Sequence, residues 1–354
     1  MKTAVVILNW NTRELLQKFL PGLIESCEGH DAKVIVADNA STDGSMEMME
    51  KEFPQLRTIR FSANYGFTGG YDRALSEVDA QYYVLMNSDV EVRPDWLSPL
   101  TQWMDSHPRC GACAPKLLSW YERDTFEYAG AAGGMIDSLG YTFCRGRVMK
   151  MVEKDHGQYD TPADVLWATG ACLMVRSSVW KELAGLDDRF FAHMEEIDLC
   201  WRTQLRGWKV QTVPQSVVYH LGGATLPSTS PWKLQLNFRN NLLLLENNLA
   251  MTYALDGRKA RIAYVQARCT ISARRMLDIC SAAVYLLTGH PDYCRAVFKG
   301  HGEYRKLRRK VSVKDLQEYV SAFGSKASVS GRYTGWIVPE AAMLKEKFFE
   351  RIHI

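Results

Sequence analysis

Three acids stand within four positions at Glu195-Glu196-Ile197-Asp198, where the text reads as the start of a helix. Acids favour a first helical turn, where they meet the positive end of the dipole, so part of the cluster is capping. Three are more than that task needs. On a helix Glu195 and Asp198 share a face while Glu196 points elsewhere, and Asp198 lies four residues before Arg202. One acid can then face a pocket as a base while another pairs with the arginine. Mutual repulsion raises the proton affinity of at least one, which suits a general base.

A second carboxylate raises a different question. The apolar run Tyr82–Met86 reads as a buried strand and leads straight into Asn87-Ser88-Asp89. A carboxylate at the mouth of such a strand is costly unless something pairs with it. One carboxylate with diphosphate oxygens and water suits Mg²⁺ or Mn²⁺, and His220, at the end of Val217-Val218-Tyr219, could add an imidazole, which favours Mn²⁺. Asp38 directly follows another strand, where it can bond a nucleobase imide or a ribose hydroxyl. Asp43 opens the next helix, where a cap serves equally well. The stretch from Asn64 to Asp72 carries three glycines at a helix start, where backbone N–H groups can approach a diphosphate.

These residues need elements to hold them. Ala4–Leu8, Val34–Ala37 and Leu56–Phe61 read as strands, and Tyr71–Val78 and Tyr82–Met86 continue the pattern. A helix capped by Thr12, then Ser45–Glu52 and Asp95–Ser106, read as helical, and Gly111–Ala114 leads to a further strand. This rhythm predicts an α/β fold, a mostly parallel sheet covered on both faces, with ligands at the carboxyl ends of the strands. The polar clusters at Asn9–Asn11, Asp38–Asp43 and Asn87–Asp89 fall at those ends. Residues 124–152 read as a glycine-rich irregular insert, loops or a hairpin beside the site. Order returns at Ala168–Val175, followed by a helix over Glu196–Arg206 and a strand at Lys209–Val213. Pro227-Ser-Thr-Ser-Pro231 marks a boundary, so we expect one domain over 1–228 and a mainly helical region over 229–354.

Composition bounds the setting. The 354 residues are 47% hydrophobic and 23% charged, ordinary for globular chains of about two domains. Residues 231–354 hold 21 Lys and Arg against 10 Asp and Glu, whereas residues 1–230 hold 22 against 30. A basic tail meets phosphate, in nucleic acid or in anionic lipid. The nine cysteines are scattered, and Cys172, Cys200 and Cys280 sit in apolar runs, as reduced core residues of a cytoplasmic protein do. Cys110 and Cys113 have redox spacing but no second pair for zinc. The opening apolar run is too short for a signal peptide, and no stretch is long enough to span a membrane.

Taken together the motifs resemble family-two glycosyltransferases with a GT-A fold, in particular the bacterial rhamnosyltransferase-like branch. The likeness runs through Val5–Asn11, Val36–Asp43, Asn64–Phe67, Leu85–Val90, Gly170–Arg176, Gly185–Phe191 and Glu195–Arg202, with His220 following. It covers roughly residues 3–225 and fades beyond. The resemblance implies a Rossmann-like GT-A sheet with a C-terminal mainly helical extension. It implies that Asp38 holds the donor's base and ribose, that Asp89 coordinates Mn²⁺ or Mg²⁺ with His220, and that Glu196 is the base, with Glu195 and Asp198 as alternatives. Asn9, Asn11, Asn39, Asp43, Asn64, Gly66, Phe67, Asp72, Asn87 and Ser88 join the donor side, and Gly170, Ala171, Trp201 and Arg202 the acceptor side. Departures are Asn87 where an acid is usual, Asp72 and Ala74 in the helix-opening motif, and Glu rather than Asp at 196.

Such an enzyme would take a dTDP- or UDP-sugar, dTDP-rhamnose among them, and place the sugar on a glycan or lipid-linked acceptor in bacterial cell-surface polysaccharide synthesis. A single base with attack from behind implies inversion. The expected setting is cytoplasmic, with peripheral contact to the anionic inner face of the membrane through Arg305–Lys310, or a homodimer through the C-terminal helices, and no nucleic acid partner. Two rivals stand beside this reading. A sugar-phosphate nucleotidyltransferase typically carries a glycine-rich basic loop after strand one, which Asn9–Arg13 is not. A non-enzymatic nucleic-acid binder leaves the front acids unexplained.

Overall fold

The computed structural model describes residues 1–222, 230–345 and 347–351. The boundary expected near residue 228, with Pro227-Ser228-Thr229, lies outside the described residues. In chain order the first strands are β1 (Thr3–Asn9), β2 (Ala32–Asp38), β3 (Arg57–Arg60), β4 (Tyr82–Met86), β5 (Val90–Val92) and β6 (Cys110–Ser119). Then come β7 (Gly134–Ile136), β8 (Thr142–Cys144), β9 (Arg147–Val148), β10 (Met151–Val152), β11 (Ala163–Asp164), β12 (Cys172–Arg176) and β13 (Lys209–His220). The helices over the sheet are α1 (Arg13–Cys27), α2 (Ser45–Glu52), α3 (Gly66–Ser76), α4 (Leu97–Ser106), α5 (Ser177–Glu182) and α6 (Glu195–Leu205). Six more follow: α7 (Pro231–Leu255), α8 (Ala260–Leu287), α9 (Pro291–Leu307), α10 (Val313–Phe323), α11 (Ile337–Leu344) and α12 (Lys347–Arg351).

Strands β3, β2, β1 and β4 lie side by side and parallel, and β2, β3 and β4 are each reached through a helix. Their interiors are continuous apolar runs because both faces are covered: Ala4–Val6 and Tyr82–Met86 are fully buried. Beyond β4 the sheet changes direction. Strand β12 enters antiparallel between β4 and β6, β13 then runs parallel to β6, and β11 and β5 pair antiparallel with β13. The sheet is therefore mixed but mostly parallel.

The pairing explains where the polar clusters meet. Asn9 ends β1 directly opposite Asp38, which ends β2. Val90 opens β5 opposite His220, the last residue of β13, so Asp89 and His220 are neighbours across 131 positions of sequence. Strand β13 extends seven residues past the expected Val213, through a register shift between Val213 and Val217, and this extension carries the histidine to the site.

The insert at 124–152 is more ordered than its glycines suggest. It folds into a four-stranded antiparallel sheet, β10-β9-β8-β7. Helix α7 begins with Ser230, whose side chain accepts from Lys233 N, and with Pro231 in the first turn. It packs on α6, α8 and α9. Cys172 and Cys200 are core residues as expected, but Cys280 is exposed on α8, because its apolar neighbours face outward. No helix among the described residues is long and apolar enough to cross a membrane.

Candidate active site

A cavity of about 440 Å³ opens at the carboxyl ends of β1 and β4. Leu8, Trp10 and Asn39 form one wall, Asn64, Gly66 and Phe67 a second, and Asn87, Ser88, Asp89 and His220 the floor. Gly170, Ala171, Glu195 and Glu196 close the opposite side. Sequence reasoning missed the rest of the lining. Tyr128 comes from the turn that precedes β7, Thr142 and Arg147 from the small sheet, Trp167 and Thr169 precede β12, and Trp232, Lys233 and Asn237 come from the first turns of α7. Trp10 and Trp232, each about 40% exposed, and Tyr128, more exposed still, are large aromatics of the lining that could have marked it.

At the floor, His220 Nε2 lies 3.1 Å from Asp89 Oδ1, and both side chains are buried. Glu127 Oε2 sits 3.3 Å from His220 Nδ1, within ion-pair distance but off the line of a hydrogen bond. Burial alone would lower the imidazole's proton affinity. The two carboxylates outweigh it and raise the His220 pKa to about 10. Once a cation displaces that proton, a carboxylate and an imidazole converging in a polar cleft form a hard-to-borderline donor pair of the kind that takes Mn²⁺ or Mg²⁺, and Glu127 stands where an orienting acid would. Among the described residues no third His, Cys, Asp or Glu completes a cation cage, so further oxygen donors would have to come from a ligand.

The acids at 195 and 196 sit at the start of α6, after a strained loop. Phe191, His193 and Met194 all have positive φ (63°, 69° and 70°), a region that costs non-glycine residues of order 1–3 kcal/mol each. Neighbours hold the loop there. Phe191 O accepts from Phe67 N and Thr68 N at the start of α3. From α7, Asn240 Nδ2 donates to Phe190 O, Ala192 O and His193 O, and Arg239 donates to Phe190 O. Gly66 is required at its position: its φ is +72°, and a Cβ there would lie 2.6 Å from the Phe191 ring.

The two glutamates are set apart electrostatically. Burial, then the charge of Glu196, pushes the Glu195 carboxyl well above the usual carboxylate range. Burial raises Glu196 to about 7, with backbone N–H groups of the helix start holding it from going higher. Neither Oε2 has a hydrogen-bond partner. The pair therefore offers one carboxyl kept neutral and one that loses its proton near neutral pH.

Other expected site residues are held elsewhere. Asp198 does not reach the cavity: it is fully buried, its Oδ2 2.6 Å from Arg202 Nε, its Oδ1 accepting from Asn247 and Asn248 of α7. The helix turns Glu195 toward the cavity instead, against the shared face expected of Glu195 and Asp198. Trp201 is core, its indole N–H bonded to Thr252, and Arg202 also donates to Leu183 O and Gly185 O. Asp72 accepts from Leu186 N beneath Gly185, and burial raises its pKa to about 6. Asp43 accepts from Arg13 N and Ser45 N, so it caps the starts of α1 and α2 together. Asn11, at φ 54°, accepts from Thr42 N. Asn9 donates to Asp38 Oδ1, and Asp38 Oδ2 accepts from Ser41 N. Asn9, Asn11, Asp38, Asp43 and Asp72 thus stand outside the cavity's lining, whereas Asn39 lines it and ties the second wall by donating to Asn64 and Gly66 O.

Residues 4–162 match the family model described as glycosyl transferase family 2. The chain is 28% identical over 234 residues to N-acetylglucosaminyl-diphospho-decaprenol L-rhamnosyltransferase of Mycobacterium tuberculosis, covering 61% of this chain and 75% of that protein. It is 22% identical over 246 residues to rhamnosyltransferase WbbL of Escherichia coli, covering 66% and 90%. Among solved structures it is similar to GalNAc-T7 with UDP, GalNAc and Mn²⁺, at a TM-score of 0.51 and 17% identity, over 69% of this chain and 48% of that one. That likeness is one of fold.

Proposed function

We infer, from the premise that the chain is a family 2 glycosyltransferase of the rhamnosyltransferase-like kind, that this cavity transfers a sugar from a nucleoside diphosphate to an acceptor hydroxyl with inversion at the anomeric carbon. One observation carries the reading: a carboxylate whose pKa lies near 7, Glu196, shares a cavity with the Asp89–His220 pair. Glu196 takes the proton of the acceptor hydroxyl as its oxygen attacks the anomeric carbon from the face opposite the diphosphate. Glu195, held neutral, keeps a second negative charge away from that oxygen. Asn64, Gly66 and Phe67 at the start of α3 border the donor's diphosphate, where the helix dipole favours anions. Asp38, bound to Asn9, would hold the nucleoside from behind Asn39.

Asp89 and His220 would hold a divalent cation. When bound, that ion neutralises the charge developing on the departing diphosphate. Glu127 beside Nδ1 keeps the imidazole oriented toward Asp89. Because relatives carry names that place rhamnose on a polyprenyl-linked sugar, the donor we favour is dTDP-rhamnose and the acceptor a lipid-linked glycan. The region 229–354 supplies one wall of the site through α7 and, in this reading, the membrane contact.

Incubation with Mn²⁺ or Mg²⁺ and a panel of nucleotide sugars, read as released nucleoside diphosphate, tests the proposal. The expected result is turnover of a dTDP- or UDP-sugar that Glu196→Gln abolishes while donor binding persists. Wild-type turnover in Glu196→Gln rejects the assignment of the base.

A further inference from the structure

Helix α8 is 28 residues long, about 42 Å at 1.5 Å per residue, and only one side of it is packed. Ala263, Ala267, Ile271, Arg274, Asp278 and Ala282, spaced three or four apart, are buried. The opposite side carries Ile262, Val265, Met276, Leu277, Val284 and Leu287, which are between 37% and 86% exposed. The positions 262, 265, 276 and 287 recur at whole turns and share one face. Cys269, Ala273, Cys280 and Ala283 fill it in, all exposed and uncharged. A continuous apolar strip of this length is larger than isolated soluble chains leave open to water, so it marks a contact surface.

Charge says what the contact is. Residues 256–310 hold 13 Lys and Arg and only 4 Asp and Glu. All four acids already have partners: Asp256 with Arg332, Asp278 with Arg274 and His301, Asp292 with Arg295, and Glu303 with Arg239. Lys259 and Arg261 stand exposed at the start of the strip, α9, antiparallel to α8, exposes Arg305 and Lys306, and Arg309 and Lys310 stand exposed just beyond its end. A second copy laid against the strip would bring two basic flanks together with no acid left to answer them. An anionic surface with an apolar layer beneath answers both features.

We propose that the outer face of α8 docks on a bilayer containing anionic lipid, apolar side chains entering the interface and the basic flanks meeting the headgroups. The proposal deepens the lipid-linked acceptor reading and rests on it for its purpose, while its physical basis is α8 alone. It also moves the contact expected at Arg305–Lys310 onto a helix that adds apolar insertion to charge.

The test is flotation of the full chain with vesicles of phosphatidylcholine alone or mixed with phosphatidylglycerol. The wild type should float with the mixed vesicles and, weakly or not at all, with the neutral ones. Val265→Glu with Met276→Glu should reduce vesicle binding at least about tenfold, since each removes apolar insertion and adds repulsion. Lys259→Glu with Arg261→Glu should weaken binding only to the anionic vesicles. A polarity-sensitive dye on Cys269 and Cys280, the two exposed cysteines of this face, should shift to the blue on the same vesicles, a readout that needs no variant. Donor turnover without lipid acceptor, measured in parallel, should be unchanged in both variants, so a failed catalytic reading shows there and not in flotation. Equal binding by wild type and Val265→Glu/Met276→Glu overturns the proposal. So does a dimer in light scattering that the same double variant splits, which would assign the face to a second copy.

Discussion

Replacing Glu196 by glutamine should remove transfer and at the same time stabilise the fold, by an amount that depends on pH. The carboxyl has a pKa of about 7 in the folded chain against 4.5 for an ordinary glutamate, because burial disfavours its charged form. The sign follows from linkage. The folded state holds this proton more tightly than the unfolded state does. Stability contributed by Glu196 is therefore intact below pH 4.5, falls as pH rises from 4.5 to 7, and stays lowered above 7. The gap of about 2.5 units is worth about 3 kcal/mol at pH 8 and under about 1 kcal/mol at pH 5. Glutamine cannot ionise, so Glu196→Gln should gain about 2–3 kcal/mol relative to wild type between those two pH values. For a chain of this length, unfolding entropy makes that about 3 °C in Tm. Scanning calorimetry of both proteins at pH 5 and pH 8 reads it directly. In the wild type the same titration sets the rate: about a tenth of Glu196 is ionised at pH 6 and about nine-tenths at pH 8, so transfer should rise roughly ninefold between them. A Tm difference that does not change with pH, or a flat rate over that range, would show that Glu196 does not titrate there, and the base assignment would go with it.

Asp89→Asn should cost transfer at least about a hundredfold and weaken nucleotide-sugar binding in the presence of Mn²⁺ but not without it, as read by calorimetric titration. Chelation should stop wild-type turnover and added Mn²⁺ should restore it; turnover that survives chelation would dismiss the cation. Asn240→Ala withdraws both amide N–H donors from the loop carbonyls at 190, 192 and 193, and should cost about 1–3 kcal/mol of stability. Its kcat should fall more than its donor affinity; an unchanged kcat would detach α7 from catalysis. Asp198→Ala takes the only carboxylate bonded to Arg202 among the described residues from a guanidinium that keeps its bonds to Leu183 O and Gly185 O, leaves the amides of Asn247 and Asn248 without this acceptor, and should cost about 3 kcal/mol by denaturant unfolding, whereas a loss confined to kcat would make Asp198 a base after all.

The parallel half of the sheet was legible in the sequence because strands buried on both faces are unbroken apolar runs, as Tyr82–Met86 is. The antiparallel entry of β12 was not, since Cys172–Arg176 has the same apolar texture as a parallel strand. Glu195 and Glu196 stood out by their crowding alone. His220 could be offered as a partner for Asp89 from its ligand chemistry and strengthened by the resemblance, but their meeting depends on β5 pairing with β13, a contact that no local pattern announces. Asp43, Asp72 and Asp198 carry the same chemistry in the sequence as the cavity acids. The cap at Asp43 and the pairing with Arg202 were among the readings the spacing allowed, but packing decides between them, and packing alone shows Asp72 holding a loop N–H. The wall built by Thr142 and Arg147 was hidden because short strands among glycines carry little periodicity.

The grip of Arg239 and Asn240 on the acid-bearing loop has a consequence for anyone recombining these chains. A hybrid that joined the first 222 residues to a foreign C-terminal third would keep its nucleotide-facing wall yet lose the donors that fix the loop before Glu195. Acceptor preference cannot then be exchanged as a cassette unless that arginine and asparagine travel in register with it.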